Sequence, residues 1–212
     1  MISQGLQSLI ESIVEAALEE AAISVPAMTR QKLALMITGD NNRKAITLWN
    51  PEAYYRLMKD IGDPSKLDSL DVIVGCIRVK SVPSCGYWQV ETSAANKGYG
   101  PSMYDIAMGQ IYPEGLTSDR FTVSQEAQNV WNYMLTHRAH EIERIPARED
   151  CRMPGAKPED ARNFIYTMKA HVQPEISQLT ANHEQAIDYA QDPDWTLQHI
   201  TQLSNKFFSR KT

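Results

Sequence analysis

The stretch that most constrains this chain runs from Trp88 to Asp105, where an extended pattern leads into a glycine turn and then into a helical pattern. Gly98 and Gly100 lie on either side of Tyr99 in the turn. Pro101 follows as a first helical residue, where proline is favoured because its missing N–H would have no partner. Glycines before a helix let the backbone turn sharply and bring its amides close to a ligand. The sequence therefore predicts a strand, a tight turn and a helix in direct succession.

The same turn is a predicted anion-binding site. The amides of a helix N-terminus and the positive end of the helix dipole converge on one point, which attracts phosphate. Lys97 would add a positive charge there, and Ser102 a hydroxyl group. A plain strand-to-helix turn without a ligand is the alternative. The predicted phosphate-binding residues are Asn96, Lys97, Gly98, Tyr99, Gly100 and Ser102.

Two well-known glycine loops fit this turn poorly. A P-loop needs Lys followed by Ser or Thr after its last glycine, and Pro101 and Ser102 stand there instead. The dinucleotide pattern G-x-G-x-x-G begins at Gly98 but has Met103 in place of its third glycine. Asp119 lies at the distance expected of a ribose ligand, yet no βαβ unit surrounds it. The phosphate is therefore expected to belong to another class of ligand.

Composition excludes several classes of protein. The chain has 212 residues, of which 42% are apolar, so it can bury a sizeable core. The net charge is −5, and basic residues form no run except Arg210–Lys211, so no general nucleic-acid binding is expected. No segment approaches the roughly 18 consecutive apolar residues of a membrane-spanning helix. No membrane partner and no signal peptide are predicted.

The cysteines and histidines indicate neither a disulfide framework nor a metal site. Cys76, Cys85 and Cys151 are few and widely spaced, and Cys76 is expected to be a small buried residue. The motif His137–Glu141 reads His-x-x-His-Glu, which is not the order of a zinc protease, and it is expected to be an exposed helical segment. We therefore predict a cytoplasmic protein without a metal ion.

Local patterns predict the order of elements. Amphipathic spacing over Leu6–Ala21 indicates a helix. A hairpin, two longer strands and a short extended piece are predicted at 32–38, 44–49, 70–79, 87–94 and 117–123. Six further helices are predicted at 51–61, 101–112, 124–140, 158–170, 174–190 and 194–208.

One segment has the composition of a linker. Residues 144–157 are rich in charge, proline and glycine. We therefore predict an α/β domain over 1–143, a linker over 144–157 and a helical extension over 158–212. The extension is expected to pack on the domain, because its apolar stripe is too small for a core of its own.

Two motifs in this order resemble those of the GCN5-related N-acetyltransferase family. Ala95–Gly100 resembles the family's pyrophosphate loop, Q/R-x-x-G-x-G/A, in its two glycines but not in its first residue. Ser124–Trp131 follows the spacing of the family's N-x-x-A-x-x-L-Y pattern. The resemblance covers about residues 30–140, and residues 94–138 are also similar to acetyltransferase-like proteins of tailed phages.

The resemblance implies a fold and an activity. The fold would be α/β, with a mixed, mainly antiparallel sheet flanked by helices and, here, a helical C-terminal extension. The activity would be acetyl transfer from acetyl-coenzyme A to an unidentified amine, with the coenzyme's pyrophosphate on the turn 96–102. A viral protein of this kind would act in the host cytoplasm. A homo-oligomer remains open.

The resemblance also implies roles for single residues. In this family the fourth strand diverges from the fifth, and a backbone N–H in the gap binds the thioester carbonyl; here Gln89–Ala94 would supply it. Glu91 is then the candidate base for the amine, with a cross-strand or surface carboxylate as the alternative. The family's tyrosine, which protonates the leaving thiolate, falls at Trp131. The family's final β-hairpin is not visible after Arg144. A non-catalytic interaction protein that keeps the fold is therefore the alternative to an enzyme.

Overall fold

The computed structural model describes residues 23–118, 123–138, 140–152, 155, 157, 160, 163–168 and 173–211. The helix predicted over Leu6–Ala21 lies outside these residues, as does Asp119. Among the described residues, none of the helices is long and apolar enough to cross a membrane.

An open sheet of seven strands forms the centre of the described part of the chain. The strands are β1 (Ala34–Gly39), β2 (Arg43–Trp49), β3 (Ile73–Val82), β4 (Tyr87–Ala95), β5 (Leu116–Thr117), β6 (Ile142–Pro146) and β7 (Phe164–Met168). Their spatial order is β1-β2-β3-β4-β5-β7-β6. All neighbours are antiparallel except β4 and β5, which are parallel. The predicted mixed, mainly antiparallel sheet is confirmed.

Helices flank this sheet, as predicted. They are α1 (Val25–Arg30), α2 (Pro51–Ile61), α3 (Ser69–Val72), α4 (Gly100–Gln110), α5 (Gln125–His137), α6 (Gln173–Asp188) and α7 (Pro193–Lys211). Their starts follow local rules: the side chain of Asn50 accepts a hydrogen bond from the N–H of Ala53 at 3.0 Å, and Ser124 caps α5 through Ala127 at 3.2 Å. Both caps are visible in the sequence.

The start of β3 differs from its prediction. The apolar run predicted a strand from Leu70, but the chain first forms the short helix α3 and enters β3 at Ile73. The carboxylate of Asp68 accepts a hydrogen bond from the N–H of Leu70 at 2.9 Å. This cap favours a helical turn over an extended backbone at that point.

The segment after α5 corrects the sequence analysis. The helix predicted over 158–170 is wrong for Phe164–Met168, which form β7, and β6 crosses the predicted domain boundary at residue 143. The two strands pair antiparallel from Ile142 opposite Met168 to Pro146 opposite Phe164. Short apolar runs do not distinguish a strand from a helix by periodicity, and aromatic and β-branched residues favour the strand.

Two hydrophobic cores lie on the two faces of the sheet. The α4 face, as we call it, packs α1, α4, α5 and part of α6 against the sheet, with Ile46, Val90, Tyr104 and Trp131 in its core. The α7 face packs α2, α3, α7 and the end of α6, and Leu203 is fully buried in its core. The C-terminal helix is thus part of the body that contains the sheet.

One disulfide corrects the expectation from the cysteines. Cys85, in the turn between β3 and β4, is bonded to Cys151, which follows β6. The two residues are 66 positions apart, so their spacing in the sequence gave no sign of the bond. Cys76 is free and buried, as predicted. Disulfides persist mainly in oxidising surroundings. The bond therefore removes the support that unpaired cysteines gave to the prediction of a cytoplasmic protein.

Candidate functional site

A cavity of about 620 Å³ lies at the end of β4, against α4 and the start of α5. The second half of β4 forms one wall, including Ser93, and the glycine turn forms the next, including Gly98 and Gly100. Tyr104 of α4 and Val130 of α5 lie on the remaining sides. The turn that the sequence singled out therefore borders an open, ligand-sized space.

The backbone of the turn needs glycine at Gly98. Its φ is +88°, a left-handed conformation that residues with a Cβ rarely adopt. Its carbonyl accepts a hydrogen bond from the N–H of Ile23 at 2.8 Å. Gly100 has an ordinary φ, but a Cβ built on it would meet nothing within 4 Å. Gly98 therefore shapes the turn, while Gly100 leaves space beside the first turn of α4.

Four of the six predicted phosphate-binding residues line the cavity: Asn96, Lys97, Gly98 and Gly100. Asn96 also fixes the turn, because its side-chain amide donates to the carbonyl of Ile73 at 3.3 Å and its backbone N–H to that of Val74 at 2.8 Å. The start of β3 therefore holds the turn in place.

The other two predicted residues are engaged elsewhere. The hydroxyl of Tyr99 donates to the side-chain oxygen of Gln31 at 2.8 Å. The buried hydroxyl of Ser102 donates to the carbonyl of Ile23. Neither side chain lines the cavity. These two contacts instead attach the turn to the two ends of α1, because Ile23 precedes this helix and Gln31 follows it.

A second lysine reaches the cavity from a distant part of the chain. Lys211, at the end of α7, lines the cavity together with Lys97, while Glu126 contributes one negative charge. The Nζ atom of Lys211 also lies 5.8 Å from the ring centroid of Phe207. Sequence analysis missed Lys211, because only the packing of α7 on the sheet brings it to the turn.

The parallel pairing of β4 with β5 is short among the described residues. There, Trp88 pairs with Leu116 and Gln89 with Thr117, and the N–H of Trp88 donates to the carbonyl of Gly115 at 2.8 Å. The register between β3 and β4 shifts after Val90, so Glu91 is an extra residue of β4. Such a bulge bends and twists a strand. Within the described part of the chain, β4 beyond Val90 has no partner on its β5 side.

Tyr104 and Ser93 join the two sides of the cavity. Their hydroxyl oxygens are 2.8 Å apart. Burial raises the pKa of Tyr104 above its usual value. The ring of Tyr104 meets that of Trp131 edge to face, with centroids 5.1 Å apart. Sequence analysis did not single out Tyr104, although its spacing of four residues from Gly100 places both on one face of a helix.

The predicted base Glu91 is held by two cations. Its Oε1 atom lies 3.2 Å from an Nη atom of Arg43 and 3.8 Å from Nζ of Lys80. Glu91 does not line the cavity. Because Arg43 and Lys80 are paired across β2 and β3, this arrangement is that of a cross-strand ion cluster.

A buried ion pair connects α4 with the end of α5. Oδ2 of Asp105 lies 3.0 Å from Nη1 of Arg138, which also contacts Glu141. Burial raises the pKa of Asp105, against the opposing effect of Arg138. Among the described residues, Oδ1 of Asp105 has no hydrogen-bond partner. The pair does not line the cavity and joins the two helices that form it.

Groups that could hold a metal ion were sought throughout the described ranges. None of their His, Cys, Asp and Glu side chains forms a cluster of three or more with that geometry. The imidazole of His140 lies 3.2 Å from Glu141. The ribose ligand considered for a dinucleotide, Asp119, lies outside the described residues.

Comparison with protein-family models, with curated proteins and with solved structures finds no match for this chain. A proposal for its function therefore rests on the geometry of the site.

Proposed function

We propose that this chain is an acyl-coenzyme A-dependent N-acetyltransferase with a sheet of the GCN5-related type. The observation that carries the proposal is one cavity that joins the glycine turn to the half of β4 without a β5 partner. The turn suits a phosphate group, and the free strand edge suits an extended chain that bears a carbonyl. Acetyl-coenzyme A is one elongated ligand that carries both.

The phosphate end of the ligand is assigned to the turn. The first N–H groups of a helix have no acceptor within the helix, and those of α4 begin at Gly100, beside open space. Lys97 and Lys211 add positive charge at the same cavity. A pyrophosphate would therefore meet backbone donors, the positive end of the helix dipole and two ammonium groups.

The thioester is assigned to the gap between β4 and β5. Successive N–H groups of a strand alternate in direction, so the N–H of Val90 faces the same side as that of Trp88. The N–H of Trp88 is bonded to Gly115, before the strands part. The pairing of Gln89 with Thr117 in this parallel ladder uses the N–H of Val90 as a donor to the carbonyl of Thr117. The candidate donor to the thioester carbonyl is therefore an amide of β4 beyond Val90.

The order of the strands supports the same proposal. The antiparallel pair β6–β7 follows α5 and extends the sheet beyond β5. The family resemblance implies a final β-hairpin that the sequence does not reveal. The antiparallel pair β6–β7 would take its place in this chain.

A non-catalytic interaction protein is the second candidate. Trp131 is only 1% exposed and offers no hydroxyl group where the resemblance implies a tyrosine. Glu91 lies in an ion cluster away from the cavity wall. If Glu91 is the base, it has to act through water from outside the cavity. These two observations favour a fold retained without catalysis.

Calorimetry with acetyl-coenzyme A tests the proposal. We expect saturable binding to the wild-type protein and loss of binding in Gly100→Val, whose side chain would occupy the open space beside α4. Gly100→Ala is the matched control: it has the same backbone but a smaller side chain, and it should weaken binding less. No heat and no thermal shift at millimolar ligand would rule out the coenzyme site. Binding without acetylation of any amine in a peptide and polyamine panel would favour the second candidate.

A further inference from the structure

The wall of the cavity contains one phenol. Gly100 and Tyr104 are four residues apart on α4, and both line the cavity. Ser93 lies on the opposite wall, three residues before Asn96 and hence about 10 Å along an extended strand from it. The phenol of Tyr104 therefore faces β4 at a distance from the phosphate-binding turn, on the stretch where β5 is no longer paired.

Tyr104 stands directly beside Trp131. Trp131 lies between Tyr104 and Tyr166, with centroids 5.1 Å and 5.0 Å away, and it does not line the cavity. Tyr104 does line it, so the phenol that the cavity offers beside Trp131 comes from a different helix. The indole of Trp131 then serves as a rigid, buried support for the phenol.

We propose that Tyr104 is the catalytic acid of this site, which protonates the departing thiolate of coenzyme A, and that Ser93 positions it. This inference rests on the proposed function. The amine nitrogen forms a bond to the thioester carbonyl carbon and loses a proton to water. The tetrahedral intermediate then breaks its C–S bond, and the electron pair leaves with sulfur. The Tyr104 proton passes to that sulfur, and the phenolate recovers a proton from water.

The local hydrogen bond suits this role. When the hydroxyl of Ser93 donates to the phenol oxygen, the proton of Tyr104 is free to point at another acceptor. The same bond stabilises the phenolate that forms during the transfer. Burial raises the pKa of Tyr104, so the phenol is protonated at neutral pH, and the hydrogen bond from Ser93 has to offset the cost of forming a buried phenolate.

A purely structural role for Tyr104 is the competing explanation. In that case its hydroxyl only satisfies Ser93, and its removal would change stability or affinity but not the chemical step. The two explanations differ in whether kcat or KM changes.

Tyr104→Phe separates them, with turnover measured as free thiol released from acetyl-coenzyme A in the presence of spermidine or a lysine peptide. We expect kcat to fall about 10²-fold or more, because a positioned acid contributes about 10²–10⁴-fold, while KM for acetyl-coenzyme A stays within about threefold. Ser93→Ala should lower kcat about fivefold, as expected for one hydrogen bond of about 1 kcal/mol. Tyr54→Phe, which removes a buried, bonded hydroxyl on the α7 face, is the matched control and should keep wild-type kcat.

A binding measurement gives a second readout. Coenzyme A should bind the wild type more tightly than desulfo-coenzyme A does, and Tyr104→Phe should abolish that preference. Unchanged kcat and an unchanged preference in Tyr104→Phe would overturn the role of Tyr104 and leave the proposed function intact. Binding of acetyl-coenzyme A without turnover by the wild type would overturn the acid role in favour of a non-catalytic protein. No binding of either coenzyme would overturn the proposed function, and the role of Tyr104 with it.

Discussion

The polar groups on the two faces of the sheet differ in whether they border open space. On the α7 face the polar groups bond to one another: the hydroxyls of Thr47 and Ser204 are 3.0 Å apart, and Cys76 Sγ lies 3.1 Å from Ser204 Oγ. On the α4 face, Ser93 and Tyr104 also bond to each other, but both border the cavity. A polar group enclosed by packing contributes to stability, whereas one beside open space remains accessible to a ligand.

The thiol of Cys76 shows why enclosure matters. Burial raises its pKa to about 11, although Ser204 and Thr47 oppose the shift. A thiol with such a pKa remains protonated at neutral pH and is a poor nucleophile. The thiol on the α7 face is therefore held in an unreactive form, and the α4 face is the one to test for function.

The largest effect should come from the packing of the α7 face. Leu203→Ala removes a fully buried side chain of α7 and should lower the free energy of unfolding by about 2–5 kcal/mol, because it leaves a cavity. Gln202→Ala, at an exposed position on the same helix, is the control and should change it by less than about 0.5 kcal/mol. Denaturant unfolding measures both. Equal effects would contradict the packing of α7 on the sheet.

The two glycines of the turn should differ from each other. Gly98→Ala places a Cβ at a φ of +88° and should lower the free energy of unfolding by about 1–2 kcal/mol. Gly100→Ala meets no neighbouring atom within 4 Å and should leave stability unchanged or raise it by up to about 1 kcal/mol. Thermal unfolding compares the two variants. A Gly98→Ala protein as stable as the wild type would show that the turn does not require the left-handed conformation.

Charge at the cavity should affect ligand binding but not stability. Lys211→Glu should weaken acetyl-coenzyme A binding about 5- to 30-fold at low salt, because it replaces an attraction by a repulsion, each of up to about 1 kcal/mol. Lys206→Glu, on the same helix but outside the cavity lining, should change affinity less than twofold. Calorimetry at two salt concentrations measures both, and the difference should shrink as salt increases. Equal effects of the two variants would remove Lys211 from the site.

The smallest effect concerns pH and the α7 face. Burial lowers the pKa values of His183 and His199 below 6.5. Nδ1 of His183 accepts a hydrogen bond from the indole of Trp49 at 3.3 Å, and a protonated imidazole has no acceptor. The unfolded chain therefore binds more protons between the folded pKa and 6.5, so stability falls as the pH is lowered through that interval.

Replacement of both histidines tests this pH effect. The double variant His183→Gln/His199→Gln should unfold at a pH-independent denaturant midpoint across the interval in which the wild type loses stability. His140→Gln, whose imidazole is exposed, is the control and should keep the pH dependence of the wild type. A double variant with an unchanged pH profile would show that other groups titrate.

Features that depend on neighbouring residues could be predicted from the sequence. The β1–β2 hairpin, helix α2 with its cap at Asn50, and the succession of β4, turn and α4 are all confirmed. Burial is harder to predict from neighbouring residues, because Trp195 lies in the helix predicted at 194–208 and is nevertheless 39% exposed. Its ring lies against that of His199, with centroids 4.9 Å apart.

The sequence by itself therefore determined the glycine turn, because Gly98 and Pro101 fix backbone angles within a few residues. Only the tertiary structure decided what surrounds that turn. Lys211 and Tyr104 reach the cavity through helix packing, and Cys85 meets Cys151 through the sheet. Pairing of β6 with β7 depends on contacts across about 20 residues. Backbone preferences act over one or two turns of chain, whereas a binding site forms where distant segments are packed together.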